Sequence, residues 1–315
     1  MHYFPRTIVE NVEKGTMPLA AFPKCFLETM CVEKKPTLDE WIGMAADQLD
    51  IDGLEFFSGF TPTDPAEINR VRKLVESRKL TIPMMCYSPD FTRHDAKERA
   101  AEIEKEKKII AITAELGGKF CRVLSGQRRP DVSRKDGVRY ASECIQELIP
   151  FAEKHRITLN LENHYKDGFW TQPEFAQKMD VFLELLSSIP RSPWFGVNYD
   201  PSNTVIAGED PIVILEAVKD RVVTMHASDR YFEGGTAEDL RKMEAHPQTG
   251  YARILKHGII GRGMNDYDKI FSILKKAGFK GWISIEDGQD PKVGMEHLRL
   301  SAEFLRKKMK EHGLN

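Results

Sequence analysis

The sequence predicts an α/β chain folded as a single (β/α)8 TIM barrel, and three observations predict it. From about residue 22 onward, short apolar runs rich in β-branched and aromatic residues alternate with longer amphipathic, charged stretches. The alternation repeats eight times, and eight strand–helix units close into a barrel. No low-complexity linker interrupts the 315 residues, so the chain is read as one domain spanning 1–315 rather than two.

Taken in order, the expected strands are Lys24–Thr29, Gly53–Phe57, Thr81–Cys86, Lys119–Leu124, Ile157–Glu162, Phe195–Asp200, Val222–His226 and Gly281–Glu286. Helices are expected between them, among others at Thr37–Leu49, Pro65–Lys79, Asp95–Leu116 and Ser133–His155. Each opens on Thr, Pro, Asp or Ser, as helices do. Two segments break the rhythm. Residues 1–21 lack periodicity and are expected to form an N-terminal extension that packs across the barrel bottom or joins a partner. The stretch 229–263 is too long for an ordinary connection and is expected to be a loop after the seventh strand that shapes the barrel mouth or closes over it.

Composition narrows the function classes. Lys plus Arg (46) nearly balance Asp plus Glu (48), so there is no broad cationic surface for nucleic acid or anionic lipid. The five cysteines are scattered without a close CxxC pair, the pattern of reduced, mostly buried thiols. Neither a leader segment nor a run of ~20 apolar residues is evident. The expectation is a soluble, cytoplasmic, enzyme-sized domain with no membrane partner.

The four last strands carry the chemistry. ITLNLE ends at Glu162, FGVNYD at Asp200, VVTMH at His226 and WISIE at Glu286. In a barrel the C-terminal strand ends converge on one mouth, so these four side chains are expected to meet. Any one of them alone reads more simply as a helix cap or a core histidine. Three carboxylates without a cation would repel one another and be driven towards protonation, whereas one divalent ion stabilises the same cluster. Three oxygen ligands and an imidazole suit Mn2+ first, with Mg2+, Co2+ or Zn2+ also accepted. An octahedral ion with four protein ligands keeps two positions for the vicinal oxygens of a hydroxy-carbonyl compound, which polarises the carbonyl and acidifies the adjacent C–H.

The segments LENHYKD (161–167), GVNYDPSN (196–203), TMHASDR (224–230) and IGRGMNDYDKIFSILKKAGFKGWISIED (260–287) resemble, in order and spacing, the xylose isomerase-like superfamily of sugar isomerases and epimerases. That superfamily also includes endonuclease IV, tagatose epimerase and inosose dehydratase. The resemblance spans nearly the whole chain. It implies that Glu162, Asp200, His226 and Glu286 bind the metal and that Glu162 and Glu286 are also the acid/base pair. It implies too that Arg230 holds substrate oxygens, although Arg230 lies close behind His226 and Asp229 is an alternative partner. Where several epimerases carry a His three residues after the strand-six Asp, this chain has Asn203, which can bond substrate but cannot shuttle a proton.

His164 lies two positions past Glu162, on the same side of an extended chain, where it reaches the mouth as a general base or acid. The ENH sequence there resembles the metal-bearing catalytic subunit of C-glycoside deglycosidases, which act on 3-keto-glycosides together with a smaller subunit. The alternative is a loop His bonded to Asp167. Glu55 in GLEFF and Arg122 in FCRVLSG are charged residues inside apolar runs, either substrate contacts or a mutual pair. Phe169, Trp170 and Tyr199 are candidates to stack on a sugar face.

The leading expectation is therefore a divalent-metal-dependent sugar isomerase or epimerase that moves a proton beside a carbonyl through an enediolate stabilised by the metal. The alternative is a lyase or deglycosidase subunit acting on 3-keto-glycosides. An endonuclease IV-like enzyme lacks the further zinc ligands it needs, and a non-catalytic sugar-binding barrel is the remaining reading. The partners expected are a small sugar or keto-sugar and either a second copy of the chain or a small subunit.

Overall fold

The computed structural model describes residues 17–288 and 290–314, so residues 1–16 of the expected N-terminal extension lie outside the described residues. In chain order the first half comprises β1 (Leu19–Ala21), α1 (Leu27–Val32), α2 (Leu38–Gln48), β2 (Gly53–Leu54), β3 (Phe56–Phe57), α3 (Pro65–Ser77), β4 (Met84–Cys86), α4 (Ala96–Glu115), β5 (Phe120–Val123) and α5 (Arg134–His155). There follow β6 (Thr158–Glu162), α6 (Met179–Ser188), β7 (Phe195–Tyr199), α7 (Pro201–Ile206), α8 (Pro211–Val218) and β8 (Val222–Ala227). The chain ends with β9 (Arg230–Phe232), α9 (Ala237–Lys242), β10 (Leu255–His257), α10 (Tyr267–Lys276), β11 (Trp282–Ile285) and α11 (Gly294–Glu311).

The main sheet is parallel, in the order β2-β1-β11-β8-β7-β6-β5-β4-β3. β2 and β3 are two halves of one strand, interrupted at Glu55, where pairing passes from β1 to β4. The sheet therefore begins and ends on the same strand, and eight strand positions form a barrel.

Two expectations change at the N-terminal end. The first barrel strand is β1, inside the segment read as an extension, and it pairs with β11 through Leu19↔Ile283 and Ala21↔Ile285. The Lys24–Thr29 segment expected as a strand is a 3-10 turn at Lys24–Phe26 running into α1. LAAF is short but wholly buried, which is what a central parallel strand requires. KCFLETM instead buries Phe26 and Met30 at helical spacing. The stretch 229–263 carries structure of its own, an antiparallel β9–β10 hairpin with α9 between its strands.

The helices start where their caps predict. Thr37 and Glu40 form a reciprocal capping box on α2, Asp64 caps α3 ahead of Pro65, and the Ser133 side chain accepts the Asp136 N–H on α5. The alternation of strand residues then divides the molecule. Residues such as Cys121, Val123, Leu159, Leu161, Val197 and Met225 join the core beneath the helices. Their neighbours face into the barrel, where Asn160 donates to Thr224 Oγ1 and Thr224 donates to Asn198 Oδ1 at 2.8 Å. Tyr199 belongs to the outer set, with its hydroxyl on Pro211 O at 2.9 Å, so it does not face a sugar as expected.

All five cysteines are free thiols. Among the described residues no helix is long and apolar enough to cross a membrane.

Two buried carboxyls outside the barrel mouth make stability pH-dependent. Burial pushes Glu106, which receives the Cys121 thiol, and Glu174, which receives the Ser125 N–H and hydroxyl, up to about 8. A carboxyl raised in the folded state holds its proton there after the unfolded chain has lost it, so stability falls as pH rises from the ordinary carboxylate range towards 8. Glu106→Gln is expected to raise the melting temperature at pH 8 by a few degrees, roughly 1 kcal/mol, with a smaller gain at pH 5. Equal shifts at both pH values in thermal scans would contradict this.

Candidate metal centre

The inward, C-terminal ends of β6, β7, β8 and β11 bring together the four residues the sequence singled out. Glu162, Asp200, His226 and Glu286 are all buried, and each offers a ligand atom within 4.8 Å of the others. Parallel register explains the meeting: Asn160 pairs with Gly196, and Ser284 with His226, so residues finishing adjacent strands lie at one level.

His226 is the centre of the cluster. Its Nδ1 lies 3.0 Å from Glu162 Oε1 and 3.1 Å from Glu286 Oε2, while its Nε2 lies 2.9 Å from Glu55 Oε1. Burial alone would lower its pKa, but Glu55, Glu162 and Glu286 override burial and raise it well above the usual imidazole range. Asp200 combines two duties, since Oδ1 caps α7 through the Asn203 N–H at 3.0 Å and accepts Ser228 Oγ at 2.8 Å. Burial, reinforced by Glu286 and Glu162, pushes Asp200 up to about 7.

Both remaining carboxylates are held by cations on their outer oxygens. Arg122 Nη1 donates to Glu162 Oε2 at 2.8 Å, and Asn203 Nδ2 donates to Oε1 at 3.1 Å. Burial would raise Glu162, but His226 and Arg122 outweigh it and hold the carboxyl at about 2. Lys24 Nζ donates to Glu286 Oε1 at 2.8 Å. Burial opposes ionisation of Glu286 too, yet Lys24 and His226 keep it well below the carboxylate range. Lys24 was not legible as a site residue because it opened a segment expected to be a strand, Lys24–Thr29; the Pro23-Lys24 step at the end of an apolar run was the available signal.

The other candidates separate clearly. Glu55 and Arg122 do not pair with each other: Glu55 sits fully buried behind His226, and Arg122 bridges Glu162 to Ser88 Oγ at 2.9 Å. Ser88 in turn donates to Asp167 Oδ2 at 2.6 Å. His164 is therefore not the partner of Asp167. It is buried, stacks on Tyr165 at 5.0 Å, and its Nδ1 has no hydrogen-bond partner among the described residues. Burial, only partly offset by Glu162, pushes His164 down to about 4 and leaves a neutral imidazole.

Arg230 does not pair with Asp229, whose carboxylate accepts the backbone N–H groups of Arg230, Gly261, Gly263 and Asn265. Gly263 permits this approach, because a Cβ there would lie 2.2 Å from Asp229 Oδ1. The Arg230 guanidinium lies over Tyr251 at 4.4 Å, with Nε and Nη1 buried and without partners among the described residues. His257 Nδ1 lies 3.1 Å from Asp287 Oδ1, anchoring β10 to the end of β11. Phe169 is 65% exposed and lies parallel to Phe57, with centroids 6.5 Å apart.

A parallel barrel with three buried carboxylates and one imidazole at the C-terminal mouth defines a class of TIM barrels whose strand ends offer a set of candidate metal ligands. The chain belongs to the xylose isomerase-like TIM barrel family, whose sequence profile matches residues 44–308. It is 31% identical over 253 residues to an inosose dehydratase of Clostridium tetani, covering 74% of this chain and 80% of the relative. Among solved structures, the IolI protein with a bound zinc atom superposes with a TM-score of 0.71 at 15% identity, over 94% of this chain and 99% of that one. D-psicose 3-epimerase from Clostridium cellulolyticum, solved with D-tagatose, gives 0.69 at 12% identity, over 93% and 99%. The structural likenesses establish the fold, and the relatives' names support enzymatic activity.

Proposed function

We propose that the chain is a divalent-metal-dependent lyase that removes a proton beside the carbonyl of a sugar or polyol ketone and expels a group from the next carbon. Glu162, Asp200, His226 and Glu286 would hold the ion, and burial that drives Asp200 towards protonation in their company is relieved by a cation. When bound, the ion supplies positive charge beside the substrate carbonyl, which acidifies the adjacent C–H. Hard oxygen donors favour Mn2+ or Mg2+, whereas the IolI neighbour carries zinc. Elemental analysis of the purified protein identifies the ion.

One observation carries the choice of elimination over epimerisation. Epimerisation returns the proton to the opposite face and so needs two groups free to exchange protons. Here Arg122 engages Glu162 and Lys24 engages Glu286, while His164 Nδ1 is unpaired among the described residues. His164 accepts the proton from carbon, and its electron pair moves towards the carbonyl oxygen. The carbonyl then re-forms as a C=C bond is made, the C–O bond on the neighbouring carbon breaks with its electron pair, and the departing oxygen takes the proton back from His164, so one group serves both transfers. Arg230, with two unpaired buried donors, holds substrate oxygens, and Asn203 keeps Glu162 oriented. The inosose dehydratase relative supports a cyclic polyol ketone as substrate and water as the departing group.

The test is incubation of metal-loaded protein with inososes and 3-keto-glycosides in D2O, followed by proton NMR. Loss of water or of an aglycone with formation of an unsaturated ketone is the expected result. Deuterium entry with inversion and no elimination would make the protein an epimerase, the second reading, which the two carboxylates flanking His226 support. Neither an unsaturated ketone nor deuterium on a carbon next to a carbonyl would remove both.

Lys24 gives a separate prediction. Lys24→Met removes a positive charge 2.8 Å from a ligand oxygen. Metal binding is expected to tighten, on the order of threefold to tenfold, by relief of like-charge repulsion. An unchanged or weaker dissociation constant in chelator competition would show that Lys24 does not oppose the ion.

A further inference from the structure

We infer that Glu55 and Cys86 are positioning residues that present His226 to the metal through Nδ1, an inference resting on the metal reading above. Glu55, Cys86 and His226 are buried together on three different strand positions, with Glu55 and His226 fully enclosed. Glu55 occupies the break between β2 and β3, where its backbone N–H bonds to Ala21 O at 3.0 Å. Its side chain turns inward beneath the mouth. There Oε1 receives His226 Nε2 at 2.9 Å and the Cys86 thiol at 2.9 Å. Among the described residues these are the hydrogen bonds of the Glu55 carboxylate, since Oε2 has none.

The geometry fixes which ring nitrogen faces the cluster. A carboxylate oxygen only accepts, so Nε2 carries hydrogen when it bonds to Glu55. Nδ1 faces the Glu162 and Glu286 carboxylates at 3.0 and 3.1 Å and donates to them when the ring is an imidazolium; an ion held among those carboxylates would displace the Nδ1 proton and leave Nε2–H on Glu55. A ligating histidine whose outer N–H is held by a carboxylate is locked in ring orientation and made a better donor. The Cys86 thiol orients the same oxygen from β4, so the pair acts as one bracket behind the ring.

The experiment compares wild type, Glu55→Gln, Glu55→Leu and Cys86→Ala. Chelator competition with Mn2+ and Co2+ reads affinity, Co2+ visible absorption reads coordination geometry, and 15N NMR of histidine-labelled protein reads the His226 tautomer. Glu55→Leu is expected to bind metal roughly 10- to 100-fold more weakly, with an altered Co2+ spectrum. Cys86→Ala is expected to lose less, with the Nε2–H tautomer retained. If the leucine variant does not fold, the isosteric glutamine variant decides: it is expected to keep the circular dichroism of wild type and lose affinity and tautomer preference. Wild-type affinity, spectrum and tautomer in Glu55→Gln would overturn the inference. If the wild-type protein takes up no metal, the metal reading fails on its own, and the 15N NMR signal of the His226 Nε2–H, compared between wild type and Glu55→Leu, still decides whether Glu55 holds the ring.

Discussion

Glu162→Gln is expected to empty the proposed metal centre, weakening binding by more than the roughly 100-fold that outer-shell changes cost. The substitution preserves shape but removes the charge that His226 Nδ1 and Arg122 both face at 3.0 and 2.8 Å. Two consequences add together: one anionic ligand is lost, and the buried Arg122 is left beside a neutral amide. Elemental analysis after dialysis, with circular dichroism to confirm folding, is the measurement. A variant that retains one equivalent of metal at wild-type affinity would exclude Glu162 as a ligand.

His164→Ala should behave in the opposite way, keeping the metal and losing turnover by about 10²- to 10⁴-fold, the range of a positioned general base. Its Nδ1 is buried and unpaired, so removing the ring breaks no hydrogen bond of that atom among the described residues. What is lost structurally is the stack on Tyr165. Stoichiometric metal and near wild-type turnover would shift the proton chemistry back to Glu162 and Glu286, and with it the reading from elimination to epimerisation. The two variants together separate a residue that holds the ion from one that moves a proton.

The four residues of the centre were legible because strand alternation and a shared C-terminal end are local properties. The Ile157–Glu162 run shows an apolar strand stopping at a carboxylate, and the same holds at Asp200, His226 and Glu286. The caps at Thr37, Asp64 and Ser133 were legible for the same reason, since each side chain bonds a backbone N–H three residues on. Tyr199 shows how exact parity must be. One position before Asp200, it faces the opposite side and bonds Pro211 O beneath the helices. β1 was missed because three buried residues have no period to read, whereas the amphipathic segment behind them resembled a strand of its own.

Charge pairing was not legible. Glu55 and Arg122 both looked like charged residues stranded in apolar runs, and mutual neutralisation was the simple expectation. Instead Glu55 serves His226, 171 positions away, and Lys24 serves Glu286, 262 positions away. The sequence by itself determined seven of the eight strand positions and the four side chains that end at one mouth. These follow from burial and from a two-residue period, which every segment carries within itself. Only the tertiary structure decided which cation sits on which carboxylate, which His226 nitrogen faces the centre and which imidazole is left unpaired. Those depend on distances between strands that become neighbours only when the barrel closes, and Coulomb and hydrogen-bond energies fall off too steeply with distance to be read along the chain.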